Sequence, residues 1–259
     1  MLNENEIVYL EEIIKTAGKN LNDNFNKPLN YYTKKNNEWF TDLDLQTENY
    51  LIKKITDRFS KSIFIAEETI NDPIQDGMLR WVIDPIDGTN NFIKKYPFFC
   101  ISVALEFNGE IVLGLIYDPL RDEMFKAVKN KGSFLNNHKI NVSPISSLYD
   151  SIIATGFVMS KKDLVNKSLE SLKKIMFKCK SFRRIGSAAL DLAYLASGRL
   201  DGCWYHGLSY WDFAAGKILV EESDGIISDS SGYDLKENSE SLVASNSFIF
   251  KEFLSNFNV

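Results

Sequence analysis

The run Trp81-Val82-Ile83-Asp84-Pro85-Ile86-Asp87-Gly88-Thr89-Asn90 limits what this chain can become more than any other stretch. Its apolar start reads as the end of a buried strand. Asp84 falls where that strand should emerge, and Pro85 fixes φ and is expected to stop the ladder there. Two carboxylates three residues apart on a rigid turn can converge on one point, and the Ile86 carbonyl can face that point too. Oxygen ligands of this kind suit a hard cation such as Mg²⁺. Gly88 lets the backbone come close to a ligand. Thr89 and Asn90 can open a helix whose free N–H groups bind an anion. A cation and an anion side by side point to phosphoryl chemistry. Asp-Pro and Asp-Gly are also ordinary turn formers, so the weight of this reading rests on what else the chain carries.

The chain has 259 residues, enough for one large domain or two coupled ones, and 44% of them are hydrophobic, which supports a sizeable core. With 30 basic against 35 acidic residues the net charge is −5. That balance argues against a general nucleic-acid binder. No apolar run approaches a membrane span, and the acidic stretch Met1 to Lys15 lacks the features of a signal peptide. Cys100, Cys179 and Cys203 are scattered and read as buried thiols in a reducing cytoplasm. Only His138 and His206 are present, so carboxylates must carry any metal chemistry.

The apolar spacing of Ile7, Leu10, Ile13, Ile14, Ala17 and Leu21 predicts an amphipathic helix over Asn5 to Phe25. Asn22 to Asn37 is polar, contains Pro28, and reads as a solvated loop with a short hairpin; Lys34 and Lys35 lie in it. Thr41 or Asp42 can cap a helix running to about Phe59, on which Asp44 and Glu48 share one face, an arrangement typical of solvated surface. Ser62 to Ala66 is a strand closed by Glu67-Glu68, whose side chains should point to opposite faces. A surface turn, Asn71 to Gly77, leads to the central strand. Phe98 to Phe107 and Glu110 to Tyr117 form a hairpin around Asn108-Gly109, followed by a strand from Glu123 to Val128. Beyond residue 140, strand and helix alternate: strands near Ser151, Ser181, Leu200, Ile226 and Leu242, and helices over Lys161 to Phe177, Ser187 to Ser197, Asp212 to Glu222 and from Ser247. The expected architecture is α+β over residues 1–140, with an antiparallel sheet, and α/β over 141–259, with a mixed, largely parallel sheet. The site should lie in the cleft between the halves. Asp212, preceding a helix rich in small residues, reads as an N-cap that also faces this cleft.

The chain resembles the inositol monophosphatase family of Mg²⁺-dependent, lithium-sensitive phosphatases over nearly its whole length. The resemblance rests on Ala-Glu-Glu at 66–68, Trp-Val-Ile-Asp-Pro-Ile-Asp-Gly-Thr-Asn-Asn-Phe at 81–92, Gly-Leu-Ile-Tyr-Asp-Pro at 114–119, Gly-Ser-Ala-Ala-Leu-Asp-Leu-Ala at 186–193 and Trp-Asp-Phe-Ala-Ala-Gly at 211–216. It implies a layered α-β-α-β-α fold and two to three Mg²⁺ ions. By position, Glu67, Asp84 and the Ile86 carbonyl match a first metal site. Asp84, Asp87 and Asp212 match a second, and Asp44 with Glu67 a third. Glu67, Thr89 and Asp44 are the implied catalytic residues, Thr89 and Glu67 as the pair that positions the attacking water. Asp87, Gly88, Thr89 and Asp212 fall where phosphate is held, and Ser187, Ala188 and Tyr205 where the sugar or polyol is contacted. Lys34 or Lys35 matches a basic residue on a loop near the third metal. A homodimer and a small phosphorylated metabolite as substrate are implied, with no covalent phosphoenzyme, no nucleic-acid partner and no membrane.

Two departures bear on the substrate. Ala66 replaces a usual glycine, a small change. Tyr205 stands where many inositol monophosphatases place a glutamate that binds substrate hydroxyls, and a phenol is not a carboxylate. His206 beside it reads as a packing residue. Ser209-Tyr210 before Trp211-Asp212 counts against the branch that cleaves adenosine 3′,5′-bisphosphate. The expected activity is hydrolysis of inositol 1-phosphate, with histidinol phosphate, fructose 1,6-bisphosphate or a nucleotide 3′-phosphate as alternatives. A partner protein that keeps the fold without catalysis is a further reading.

Overall fold

A computed structural model describes residues 2–69, 71–73 and 75–257. Ile74, within the expected turn at 71–77, and the extreme termini lie outside the described residues. Helix α1 (Glu4–Phe25) starts at a capping box between Asn3 and Glu6 and buries the predicted apolar stripe. Strands β1 (Tyr31–Thr33) and β2 (Trp39–Thr41) form the short hairpin, and α2 (Asp42–Arg58) follows from an N-cap at Thr41. Then come β3 (Ser62–Ala66), β4 (Leu79–Asp87), the one-turn α3 (Thr89–Ile93) and five antiparallel strands. These are β5 (Cys100–Phe107), β6 (Glu110–Asp118), β7 (Glu123–Val128), β8 (Gly132–Leu135) and β9 (His138–Ile140). The second half runs β10 (Ile152–Thr155), α4 (Lys162–Ile175), β11 (Ser181–Arg183), α5 (Ala188–Ala196) and β12 (Gly202–His206). It ends with α6 (Tyr210–Glu221), β13 (Gly225–Ser228), β14 (Ser241–Asn246) and α7 (Phe250–Leu254).

The larger sheet has seven strands in chain order from β3 to β9. It is antiparallel except for its edge pair, β3 and β4, which run parallel. The smaller sheet has the order β11-β10-β12-β14-β13. It is mixed, parallel on the β11-β10-β12 side and antiparallel where β14 pairs with β12 and β13. Three apolar clusters fill three interfaces. One joins α1 and α2 to the outer face of the large sheet, through residues such as Leu10, Leu51, Trp81 and Ile83. A second fills the centre with α5, α6 and the inner faces of both sheets, including Val82, Ala104, Leu190 and Phe213. A third lies under α7 around Trp204 and Phe253. The layers are therefore helix, sheet, helix, sheet, helix, and the central cluster is continuous across residue 140.

Being sandwiched explains the sequence of α5, which is buried on every side. Small residues let α6 sit close to its neighbours. A Cβ at Gly114 of β6 would lie 2.6 Å from the Ala215 carbonyl oxygen, and one at Gly216 would meet Leu192 at 2.4 Å.

One expectation is corrected at the central strand. Pro85 does not end the ladder: β4 continues to Asp87, which pairs with Cys100 after a register shift between Asp84 and Asp87. A bulge absorbs the missing proline N–H and redirects the strand. It is this bulge that gathers Asp84, the Ile86 carbonyl and Asp87 along one short stretch.

Candidate active site

A cavity of about 550 Å³ is lined by Glu67, Asp84, Ile86, Asp87, Gly88, Thr89, Ser187, Ala188, Tyr205 and Asp212, among others. Every site residue expected from the sequence except Asp44 is in that lining. The segments that supply them are far apart in the chain: the end of β3, the β4 bulge, the start of α5, β12 and the first turn of α6. The β1–β2 hairpin reaches the cavity mouth, where Glu38 accepts a hydrogen bond from the Ser160 hydroxyl at 3.0 Å.

Each acid is oriented by the backbone around it. Asp84 Oδ1 accepts the Ile86 N–H at 3.0 Å, fixing the bulge. Asp87 Oδ2 accepts the Ser187 hydroxyl at 2.6 Å and the Ala189 N–H at 2.7 Å, which ties β4 to the start of α5. Ser187 is thus buried and engaged with Asp87. Asp212 is not the N-cap of α6: Ser209 is, and Asp212 occupies the third helical position, its Oδ2 accepting the Ser209 N–H at 2.7 Å. Gly88 adopts φ +95, where a side chain would be strained, and a Cβ there would lie 3.0 Å from the Phe98 carbonyl oxygen. The Thr89 hydroxyl lies 2.9 Å from the Ile86 carbonyl oxygen and 3.2 Å from Asp44 Oδ1, the two acceptors within reach of its single proton.

Asp44 stands apart. It is fully buried, its Oδ2 accepts the N–H and hydroxyl of Thr41 at 2.7 and 2.6 Å, and it reaches the cavity only through Thr89. Burial pushes its carboxyl up to about 6. Glu48, read from the sequence as solvated, is buried as well. Its Oε2 accepts the Glu68 N–H at 2.8 Å and its Oε1 the Thr69 hydroxyl, holding the turn after β3.

That turn corrects a second expectation. Because β3 ends at Ala66, Glu67 and Glu68 are outside the strand and do not alternate between faces. Both reach Lys34, whose ammonium lies 2.8 Å from Glu67 and 2.6 Å from Glu68. Lys34 is therefore part of the site rather than a solvated loop residue. Burial lowers its pKa, but the two carboxylates more than offset this and raise it. Glu68 itself is raised to about 7, chiefly by burial, with the Glu67 charge adding to it.

The electrostatics of the site are those of crowded, desolvated acids. Burial raises Asp84 well above the usual carboxylate range, and the charges of Glu67, Asp87 and Asp212 raise it further. Burial likewise raises Asp212, with Asp87 and Glu67 contributing. Asp87 is pushed up to about 6 by burial, although Ser187 and Ala189 donate to it. Among the described residues no three His, Cys, Asp or Glu side chains stand at the spacing of a closed metal-ligand set. The donor chemistry nonetheless fits hard divalent ions: four carboxylates and a backbone carbonyl share one wall, and a cation, the Lys34 ammonium, already sits on Glu67. Glu67, Asp84, Asp87, Asp212 and the Ile86 carbonyl are the groups able to hold them.

The sequence reading missed Asp191, one helical turn after Ser187. It is fully buried, accepts the Tyr205 hydroxyl, and leaves Oδ1 without a partner. Burial raises it to about 8. Tyr205 consequently presents its ring to the cavity while its hydroxyl is held by Asp191, and the ring lies against Gly156, where a Cβ would be 2.8 Å from Cε1. A lone acid in the otherwise apolar Ala-Ala-Leu-Asp-Leu-Ala run was the available signal. His206 is buried with Nε2 3.4 Å from the Ser171 hydroxyl, a packing position.

Comparison with known proteins agrees with this geometry. A sequence model of the inositol monophosphatase family matches residues 3–257. The Nus factor SuhB of Escherichia coli (strain K12) is 37% identical over 244 residues, covering 93% of this chain and 91% of that protein. An inositol-1-monophosphatase of Mesorhizobium japonicum is 36% identical over 241 residues, covering 92% and 90%. Among solved structures, the extragenic suppressor protein suhB of Bartonella henselae aligns with a TM-score of 0.93 at 32% identity, covering 98% of this chain and 99% of that one.

Proposed function

Because the chain belongs to the inositol monophosphatase family, we propose that it is a Mg²⁺-dependent hydrolase of small phosphate monoesters, with inositol 1-phosphate as its first substrate. The observation that carries this reading is the convergence of Glu67, Asp84, Asp87 and Asp212 with the Ile86 carbonyl on one cavity beside the Gly88–Thr89 turn. Bound divalent ions supply the positive charge that neutralises a phosphate dianion and the lowered pKa that readies a water molecule for attack. Asp84, Asp87, Asp212 and Glu67 would hold those ions on the cavity wall. Thr89 keeps its proton directed at Ile86 and Asp44, which leaves an Oγ1 lone pair to accept a hydrogen bond from the attacking water. Glu67, the other acid at that wall, orients the same water. Gly88 lets the backbone approach the phosphate, and Ala188 and the Tyr205 ring face its alcohol portion. No cysteine nucleophile enters, since Cys100 is buried and burial raises its thiol pKa. Lithium sensitivity, a cytoplasmic location and a homodimer go with the reading; no helix among the described residues is long and apolar enough to cross a membrane.

Tyr205 motivates the alternative substrates. With its hydroxyl on Asp191, it offers a ring where a polyol would want an acceptor. Phosphate release from inositol 1-phosphate, histidinol phosphate, fructose 1,6-bisphosphate and adenosine 3′,5′-bisphosphate, each at the same concentration with Mg²⁺, decides between them. The inositol ester is expected to lead; its ranking last would overturn that choice while leaving the chemistry intact. The name Nus factor carried by a relative motivates a second reading, a role in an assembly in addition to hydrolysis.

A further inference from the structure

Of Glu67, Asp84, Asp87 and Asp212, Asp212 alone comes from beyond residue 140, so its place relative to Asp84 and Asp87 depends on how α6 sits on the large sheet. The body of α6 is held by Phe213, Ile218, Leu219 and Val220 in the central cluster and by the close seat of Ala215 and Gly216. Its first turn, which carries Asp212, lies at the end of that packed body, where a small change of angle would move the carboxylate.

A polar cluster holds the first turn of α6 against this freedom. None of its four members lines the candidate cavity. Arg80 lies on β4, four residues before Asp84 and on the same face of the strand. Glu106 of β5 is its direct cross-strand neighbour. Both are almost wholly buried, at 3% and 4% exposure, as is Tyr210 at 8%. Tyr210, the first residue of α6, donates its hydroxyl to Glu106 Oε2 at 2.7 Å, and its ring lies 5.8 Å from the Arg80 guanidinium. Glu237, on the loop between β13 and β14, accepts both terminal nitrogens of Arg80, at 2.8 and 3.0 Å. Arg80 Nη1 also lies 3.5 Å from Glu106 Oε2.

A buried arginine between two glutamates adds little net stability over an apolar core, and its best-attested use is to fix one arrangement among several. Here the fixed object is the start of α6. Tyr210 and Asp212 are two residues apart, so they project about 200° from one another around the helix axis. The anchor grips one side of the turn while the carboxylate faces the other, toward Asp87. Both the anchor and the metal-site acids hang from the same strand, Arg80 and Asp84 on β4.

We propose that Arg80, Glu106, Tyr210 and Glu237 are positioning residues that set Asp212 against Asp84 and Asp87, and that they govern the affinity of the divalent ion these three acids share. The proposal rests on the phosphatase reading above. Its test is calorimetric titration of the metal-free protein with Mg²⁺, for the wild type, Tyr210→Phe and Glu237→Gln. Tyr210→Phe keeps the ring and removes only the hydroxyl. Glu237→Gln acts at a partly exposed loop residue, so it keeps the test open should the first variant fail to fold. The Mg²⁺ step of the ion shared by Asp84, Asp87 and Asp212 is expected to lose about tenfold in affinity in either variant while the other step is unchanged, and raised Mg²⁺ should restore turnover without altering KM. Folded variants whose two Mg²⁺ steps match those of the wild type would overturn the proposal, even with a lowered Tm, because the cluster would then be structural only. A wild type that binds no Mg²⁺ would overturn both this and the phosphatase reading.

Discussion

At Asp191 a single buried side chain ties the stability of the fold to pH. Its carboxyl rises from 3.8 to about 8 on folding, because burial penalises the charge more than the Tyr205 hydroxyl relieves it. The folded protein therefore holds this proton more tightly than the unfolded chain does. The stabilisation is fully present below about pH 4 and is lost as the pH rises through about 8. Asp191→Asn cannot ionise, and its amide oxygen can still accept from Tyr205. The metal-free variant is expected to show a flatter dependence of Tm on pH between about 5 and 8 than the wild type, and to be the more stable of the two at the alkaline end. Thermal unfolding across that range checks it; parallel curves would mean that Asp191 is not the group that titrates. At the same scale, Lys34 shows why a residue's role escapes a sequence. A lysine in a polar loop looks solvated until the fold brings Glu67 and Glu68, more than thirty positions away, against its ammonium.

Among the elements, those set by local pattern were legible. The α1 stripe, the Asn108-Gly109 hairpin, the alternation after residue 140 and the layered order all follow from periodicity, turn chemistry and resemblance. What local pattern could not carry is where an element meets another. Pro85 looked like a stop because its missing N–H is a local fact, whereas the bulge that tolerates it depends on pairing with β5. Asp212 looked like a cap because Ser209 and Asp212 both suit helix starts, and the capping box uses both. Asp44 and Glu48 looked exposed because helical spacing shows a shared face but not what covers it. The carboxylates of the site were legible from type and spacing; the groups that orient Asp87, the Ser187 hydroxyl and the Ala189 N–H, were not, since those contacts close a loop of 100 residues or more. The close seat of α6 on β6 has its own consequence. In Gly114→Ala the new methyl must displace the Ala215 backbone and Ile218, and a loss of about 1–3 kcal/mol is expected. Denaturant unfolding measures it; a change below about 0.5 kcal/mol would mean that α6 shifts freely, contrary to the tight packing described.

For the molecule as a whole, two sheets and three helical layers bring acids from the turn after β3, from β4 and from α6 to one wall, where burial and mutual repulsion leave them short of positive charge. The fold's central claim is that divalent ions supply that charge and make a phosphate ester open to attack by water. The direct measurement is phosphate release from inositol 1-phosphate by the purified wild type and by Asp84→Asn, each with Mg²⁺ and with a chelator. The account predicts release that requires Mg²⁺ in the wild type and falls by about two powers of ten or more in Asp84→Asn. Release that persists in chelator, or near-normal turnover in the variant, would contradict it.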